Sequence, residues 1–392
     1  MGRASKVMLV SLSDKRILEN SGDRVPIGLM SIAANNHMRI YDLNHTSEEK
    51  FLSDVERINP EAVGISVYTS AVYPEAVSLA QKINGPRLIA GGYHATAMPE
   101  TLTPYFDAVV QGEGEELIQE ALTEDGIIKG PAPDLNNLRN PSGLEMSLYG
   151  LDQSGKRTGT IITSRGCPYS CSFCGKLSDK VRYTPFNKVL EQVSSLKLDG
   201  FKSVYFTDDV FTLNAKRMEE IVSKMDIPYR ITTRANLMDE YKADILAGTG
   251  CNWASFGIES GNNKILKKSN KQMTTQQNYE AVSLMSKKGI QTKGFFILGL
   301  PGETEKTARD TINFSKSLKD VGLNQADFYF LSPFPGTPIW DNPSKFGIKI
   351  NDLDYTKYLQ AGKTAKCFID TEELKSQDIE ELVQEARELW KN

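Results

Sequence analysis

The feature that most restricts this chain is an alternation of strand and helix patterns that runs twice, with Gly, Ser, Thr or acidic residues after each strand. Such a chain builds parallel sheets covered by helices, with its ligands at the carboxyl ends of the strands. In the first series strands are expected at 6–12, 38–43, 62–67, 87–90 and 108–110, and helices at 26–36, 47–58, 74–83 and 115–122. The second places strands at 160–163, 203–207, 229–233, 253–257, 292–298 and 325–331, and helices at 187–198, 216–225, 238–249, 276–288 and 305–321. Six units fall short of a closed eight-stranded barrel and describe a partial one. Between the series, Pro131, Pro133, Asn140, Pro141, Gly143 and Gly150 break the pattern. The fold class is therefore α/β: a Rossmann-like domain at 1–128, a linker at 129–156, a partial (β/α)6 TIM-like barrel at 157–340, and a helical extension at 341–392. The last helix, 375–390, is charged on one side and apolar on the other, and is expected on the open side of the barrel.

Directly after the first strand of the second series, residues 164–176 hold Cys167, Cys171 and Cys174 in a Cys-x3-Cys-x2-Cys spacing. Structural zinc takes four protein ligands, and the two other cysteines, Cys251 and Cys367, are distant and single. Three clustered thiolates suit a [4Fe-4S] cluster with one iron left open, and an odd, tight set is a poor disulfide framework. Cys251 and Cys367 read as small core residues, with a substrate-facing role left open for Cys367.

A length of 392 residues allows two or three domains, and 40% hydrophobic with 24% charged residues is ordinary for a soluble globular chain. The first apolar run, 7–12, is too short for a signal or membrane span, so a cytoplasmic location is expected. Net charge is −4 and the Lys-rich stretch 264–271 is interrupted by apolar residues, which reads as a solvated helix face and not as a nucleic-acid surface.

In the first series the strand ends carry Ser66, Tyr68 and Thr69, then Gly91, Gly92, Tyr93 and His94, then Gly112 and Glu113. Glycines let a large planar or phosphorylated ligand approach the backbone, and hydroxyls can bond its periphery. No Gly-x-Gly-x-x-Gly follows the first strand, so a dinucleotide is disfavoured.

The cysteine loop and the strand ends of the second series resemble the radical S-adenosylmethionine superfamily. Pro26-Ile27-Gly28-Leu29, Tyr41-Asp42, Gly91-Gly92 with His94 to Glu100, and Gly112 to Glu115 resemble the cobalamin-binding domain that precedes the radical domain in one large subgroup. The resemblance implies that Cys167, Cys171 and Cys174 hold the cluster, whose open iron chelates S-adenosylmethionine, with Phe173 near the adenine. Asp208 and Asp209 take the place of the acidic motif in which a carboxylate or carbonyl receives the methionine ammonium, and Glu259 that of the ribose ligand. Ile297 and Gly299 stand beside the adenine, a partial match because Phe295 replaces a family glycine, and Leu331 and Ser332 give the last adenine contact. Arg234 is expected either to neutralise the methionine carboxylate or to form a buried salt bridge.

For cobalamin the resemblance implies contacts from Ser66, Tyr68, Thr69, Gly91, Gly92, Tyr93, His94, Gly112 and Glu113, with His94 on the corrin or nucleotide rim. The Asp-x-His-x-x-Gly turn that supplies a histidine to cobalt in many cobalamin proteins is absent around His37, His45 and His94. The lower face of cobalt is thus expected to see no histidine, only side chains of the loop 13–25. The resemblance implies methyl transfer from methylcobalamin to an unactivated carbon of a small-molecule or peptide substrate through a 5′-deoxyadenosyl radical. It also implies an external one-electron reductant of flavodoxin or ferredoxin type. The alternative is a non-methylating radical reaction (cyclisation, ring contraction or rearrangement) with cobalamin used differently or absent. A plain electron carrier would not need the second ligand's strand-end motifs.

Overall fold

The structure, a computed structural model, describes residues 7–13, 15, 25–150, 157–355 and 365–391. The chain divides into two compact units, Met1–Gly150 with Asp354–Lys363, and Leu151–Leu353 with Thr364–Asn392.

The first unit runs β1 (Val7–Ser11), α1 (Ile27–Asn36), β2 (Arg39–Asp42), α2 (Glu48–Ile58), β3 (Ala62–Ser66), α3 (Tyr73–Lys82), β4 (Arg87–Gly91), α4 (Tyr93–Ala97), β5 (Ala108–Gln111), α5 (Gly114–Ala121) and β6 (Gly126–Lys129). Its strands are all parallel in the order β2-β1-β3-β4-β5-β6. The order reverses between β1 and β3, the switch point where doubly wound sheets bind ligands. Both sheet faces are covered: Met8, Val10, Val63 and Ile65 pack toward α2 and α3, while Val7, Leu9, Ile89 and Val110 pack toward α1 and α5. Ser47 caps α2 by accepting from the Lys50 N–H, as its position predicts.

The sequence reading stops the sheet at five strands, and the structure adds β6. Only Ile128 of its four residues is buried, so hydrophobic patterning has almost nothing to register. Residues 130–150, read as a linker, belong to the first unit. Leu135, Leu138 and Tyr149 are buried, the Arg139 N–H donates to Asn35 Oδ1 at 2.9 Å, and Tyr149 Oη donates to Asp42 Oδ2 at 2.9 Å. Widely spaced apolar anchors carry no helical or strand period, and the Pro and Asn content masks them. The stretch 13–25, expected beneath cobalt, lies mostly outside the described residues.

The second unit runs β7 (Thr158–Ile161), β8 (Ser164–Arg165), β9 (Arg182–Tyr183), α6 (Phe186–Leu198), β10 (Ser203–Phe206), α7 (Ala215–Val222), β11 (Tyr229–Thr233), α8 (Glu240–Gly248), β12 (Cys251–Glu259), α9 (Asn263–Lys268), α10 (Thr275–Lys287), β13 (Gln291–Leu298), α11 (Glu305–Asp320), β14 (Gln325–Phe330), α12 (Pro338–Asp341), β15 (Ile348–Ile350), β16 (Ile369–Thr371) and α13 (Ser376–Glu388). Six parallel strands in the order β14-β13-β12-β11-β10-β7 form the expected partial barrel. Strand residues alternate between buried side chains, such as Ile231, Phe296 and Phe328, and half-exposed ones, such as Thr232, Ile297 and Tyr329. The buried set packs under the helices; for example, Tyr229 Oη bonds Leu246 O on α8. The half-exposed set lies on the opposite, lumen face. Helix α13 packs on β13 and the edge strand β14, where Arg387 Nε donates to the Phe328 carbonyl at 2.9 Å, and Trp390 Nε1 bonds Ser315 Oγ on α11.

Candidate functional site

The cysteine loop leaves β7 through β8, which pairs antiparallel with β9. The Cys167 N–H donates to Ser178 O at 3.1 Å, Lys176 Nζ donates to Cys167 O at 3.2 Å and to Tyr169 O, and the Cys174 N–H donates to Cys171 O at 3.2 Å. The turn after α9 clasps the loop from outside: the Ser172 N–H donates to Ser269 O at 3.0 Å and Asn270 Nδ2 to Ser170 O at 2.7 Å.

Arg234, just past β11, completes the clasp. Its Nη1 donates to Cys171 Sγ at 3.6 Å, Nη2 to Lys271 O, and Nε to Asn236 Oδ1 at 3.2 Å, while the guanidinium lies 3.7 Å from the centre of the Tyr169 ring. Arg234 thus holds the loop and forms no salt bridge among the described residues, which corrects that expectation; three of its five N–H groups are committed and two are left.

The three thiols lie within electrostatic reach of one another. Burial, then Cys171 and Cys167, pushes the Cys174 thiol up to about 12, and burial chiefly raises Cys167. Thiols so placed become thiolates only against a cation, which a metal centre supplies. Among the described residues no three such side chains converge tightly enough for a single ion, whereas an iron–sulfur cluster takes its thiolates on separate irons. The loop fits the cluster.

The two aspartates after β10 part company. Asp208 is 2% exposed and accepts from the Thr163 N–H at 3.1 Å, Thr163 Oγ1 at 2.8 Å and Ser164 Oγ, so it anchors the start of the cysteine loop. Those three donors occupy the carboxylate, which is thereby corrected as a receptor of the ammonium; its backbone carbonyl is not affected. Asp209 is exposed and accepts from the Gly166 N–H, its field reaches Cys167 and Cys174, and desolvation raises its pKa. Of the two carboxylates, that of Asp209 is the one open to a ligand beside the cysteines.

Glu259 ends β12 at a bulge with φ +64° and pairs with Lys271 Nζ at 2.6 Å, the two side chains 8% and 6% exposed. A side chain on Gly257 would strike Glu259 Oε1 and come within 2.8 Å of Lys271 Nζ, which explains the glycine. Lys271 also sits 5.8 Å from the centre of the half-buried Phe173 ring. The solvated-face reading of 264–271 holds for Lys264, Lys267 and Lys268 and fails for Lys271, which the turn after α9 carries inward.

Ile297 is half-buried on the lumen face, and Leu331 and Ser332 are each 1% exposed; the buried Ser332 Oγ has no partner among the described residues. Gly299 has φ +85°, and a side chain there would meet Ile379 at 3.0 Å, so helix packing already accounts for this glycine. Sequence reasoning missed Glu303, which is fully buried and accepts from the Gly299 N–H at 2.5 Å. Burial pushes its pKa up to about 8, so it stays protonated at neutral pH and braces the turn after β13. Cys251 and Cys367 are buried as expected.

On the first unit, Ser66, Tyr68, Thr69, Gly91, Gly92, Tyr93, Gly112 and Glu113 gather half-buried along the carboxyl rim of β3, β4 and β5. Gly92 has φ +104°, and a side chain there would lie 2.9 Å from the Val67 backbone, so two strand ends can touch. At Gly112 the corresponding space is open, and its N–H is fixed by Thr96 Oγ1 at 3.0 Å. This glycine-floored, hydroxyl-edged rim fits a large planar ligand. His94 is corrected: it is wholly buried, with Nδ1 2.9 Å from Ser70 Oγ and Nε2 3.0 Å from Thr101 Oγ1, and burial lowers its pKa to about 4. The residues 93–97 form α4 and not a loop, which turns the ring inward.

Comparison with known proteins agrees with both halves. Residues 161–315 match the Radical SAM superfamily and residues 17–122 the B12 binding domain. An uncharacterized methyltransferase of Pyrococcus horikoshii, PH0819, is 32% identical over 370 residues, covering 83% of this chain and 80% of that one. The chain belongs to the cobalamin-dependent radical S-adenosylmethionine enzymes. Another member, the anaerobic magnesium-protoporphyrin IX monomethyl ester cyclase of Rubrivivax gelatinosus, is 27% identical over 80% of this chain and 63% of its own length. In fold, the radical S-adenosylmethionine methyltransferase TsrM of Kitasatospora setae, solved with cobalamin and a [4Fe-4S] cluster, superposes with a TM-score of 0.74 at 19% identity, covering 92% of this chain and 83% of its own. The cofactors of this family member are thus the [4Fe-4S] cluster, S-adenosylmethionine and cobalamin. No helix among the described residues is long and apolar enough to cross a membrane.

Proposed function

We propose that this protein is a methyltransferase that places a methyl group on an unactivated carbon of a small molecule or peptide. The observation that carries the reading is the pairing, in one chain, of a three-cysteine loop flanked by a second ligand's contacts with a glycine-floored rim that fits cobalamin. The names of the Pyrococcus relative and of TsrM support methylation over the cyclase chemistry of the Rubrivivax relative. When bound, the cluster and S-adenosylmethionine supply a primary carbon radical that abstracts hydrogen, and cobalamin supplies the methyl group.

The chain's own residues hold and shield. Cys167, Cys171 and Cys174 bind iron, and Arg234 with the 269–271 turn keeps the loop in place. Asp209 receives the methionine ammonium, the Glu259 carboxylate meets the ribose, and Phe173, Ile297, Leu331 and Ser332 border the adenine. Ser66, Tyr68, Thr69, Tyr93, Gly112 and Glu113 hold the corrin. The electron comes from an external flavodoxin- or ferredoxin-type donor.

The test needs no substrate. Protein loaded anaerobically with cob(I)alamin and given S-adenosylmethionine labelled at its methyl group with deuterium should yield trideuteromethyl-cobalamin by mass spectrometry. Deoxyadenosine formation under reduction without any methylated cobalamin would leave the cyclase-like chemistry in its place.

A further inference from the structure

The lumen face of the partial barrel holds a guanidinium with no acidic partner among the described residues. Arg230 lies on β11, on the same face as Thr232 and Arg234. It is half-buried, its guanidinium is 4.5 Å from the centre of the Tyr205 ring, and its buried Nε has no hydrogen-bond partner among the described residues. Tyr205 is fixed in turn, its Oη 2.8 Å from Thr232 Oγ1. Asp327, on the lumen face of β14, is already satisfied: it pairs with Lys293 Nζ at 2.5 Å and accepts from Tyr329 Oη at 3.1 Å and Gln325 Nε2 at 3.0 Å. Lys293 and Asp327 thus neutralise each other, and Arg230 forms no ion pair among the described residues.

A partly desolvated guanidinium is costly unless it meets an acceptor, and its planar fork matches a carboxylate or phosphate in two parallel hydrogen bonds. Stacking on Tyr205 pre-orients that fork. Four residues along the strand, at about 3.3 Å each, separate Arg230 from Arg234 at the cysteine loop, a span of roughly 13 Å. We propose that Arg230 is a specificity-determining residue that binds a carboxylate or phosphate of the substrate inside the barrel lumen, roughly 13 Å from the end that meets the radical. The inference rests on the proposed methyl transfer for the word substrate, and names its class: an elongated molecule with an acidic terminus.

The test uses wild-type, cluster-loaded protein and two probes of equal shape, hexanoate and its neutral isostere hexanamide. Phenylglyoxal labelling of Arg230, read by peptide mass spectrometry, should be slowed by hexanoate, with about a tenfold lower half-protecting concentration than for hexanamide. Inorganic phosphate should protect as well if the fork accepts phosphates, and protection by only one of the two anions assigns the group. Equal protection by hexanoate and hexanamide, or none by any probe, overturns the proposal. Reductive cleavage of S-adenosylmethionine is measured separately on the same wild-type protein: its absence counts against the radical chemistry and not against the lumen site.

Discussion

Lys271→Met isolates the buried ion pair at the end of β12. Glu259 and Lys271 are both under a tenth exposed, with Lys271 Nζ 2.6 Å from Glu259 Oε1. Removing the ammonium leaves a carboxylate in a desolvated site without its counter-charge, a loss of about 3–5 kcal/mol, whereas replacing both partners by neutral groups is close to neutral. At roughly 2–4 °C per kcal/mol for a unit of this size, the single variant should melt about 6–20 °C lower. Tryptophan fluorescence follows this unit selectively, because all three tryptophans, Trp253, Trp340 and Trp390, lie in it. Anaerobic urea unfolding without S-adenosylmethionine should show the large loss in Lys271→Met and recovery of most of it in Lys271→Met with Glu259→Gln. A single variant within about 1 kcal/mol of wild type, or a double variant no better than the single, would refute the claim that the pair is buried and mutually dependent.

Two further outcomes follow from the same geometry. Asp208→Asn should destabilise the cysteine loop by about 1–3 kcal/mol and lower reconstituted iron content, while Asp209→Asn should keep the cluster and weaken S-adenosylmethionine binding in equilibrium dialysis. The first unit should lose stability in acid through His94. Its folded pKa, about 4, lies below the ordinary 6.5, so the unfolded chain takes the proton first and stability falls as pH drops from 6.5 to 4, then levels. Above pH 6.5 the contribution is complete, and at pH 4 about 3 kcal/mol is gone; His94→Gln should flatten that limb in circular-dichroism unfolding curves.

Local order was written in the chain. Hydrophobic periodicity located every parallel strand except β6, and the cysteine spacing with the strand-end motifs identified both cofactor modules, because these signals depend on neighbours within a few residues. What the side chains at those positions do was decided by folding. Asp208 and Asp209 are adjacent and chemically identical, yet the return of β7 beside β10 consumes one carboxylate and leaves the other facing the cysteines. His94 follows two glycines as a rim residue would, but the turn of α4 points it at Ser70 and Thr101. Lys271 belongs by sequence to a lysine-rich surface and by structure to Glu259, twelve residues earlier. Arg234, Glu303 and Arg230 show the same division: residue type gives the charge, but only the packing of distant strands and turns fixes whether that charge is paired, neutralised or left waiting for a ligand.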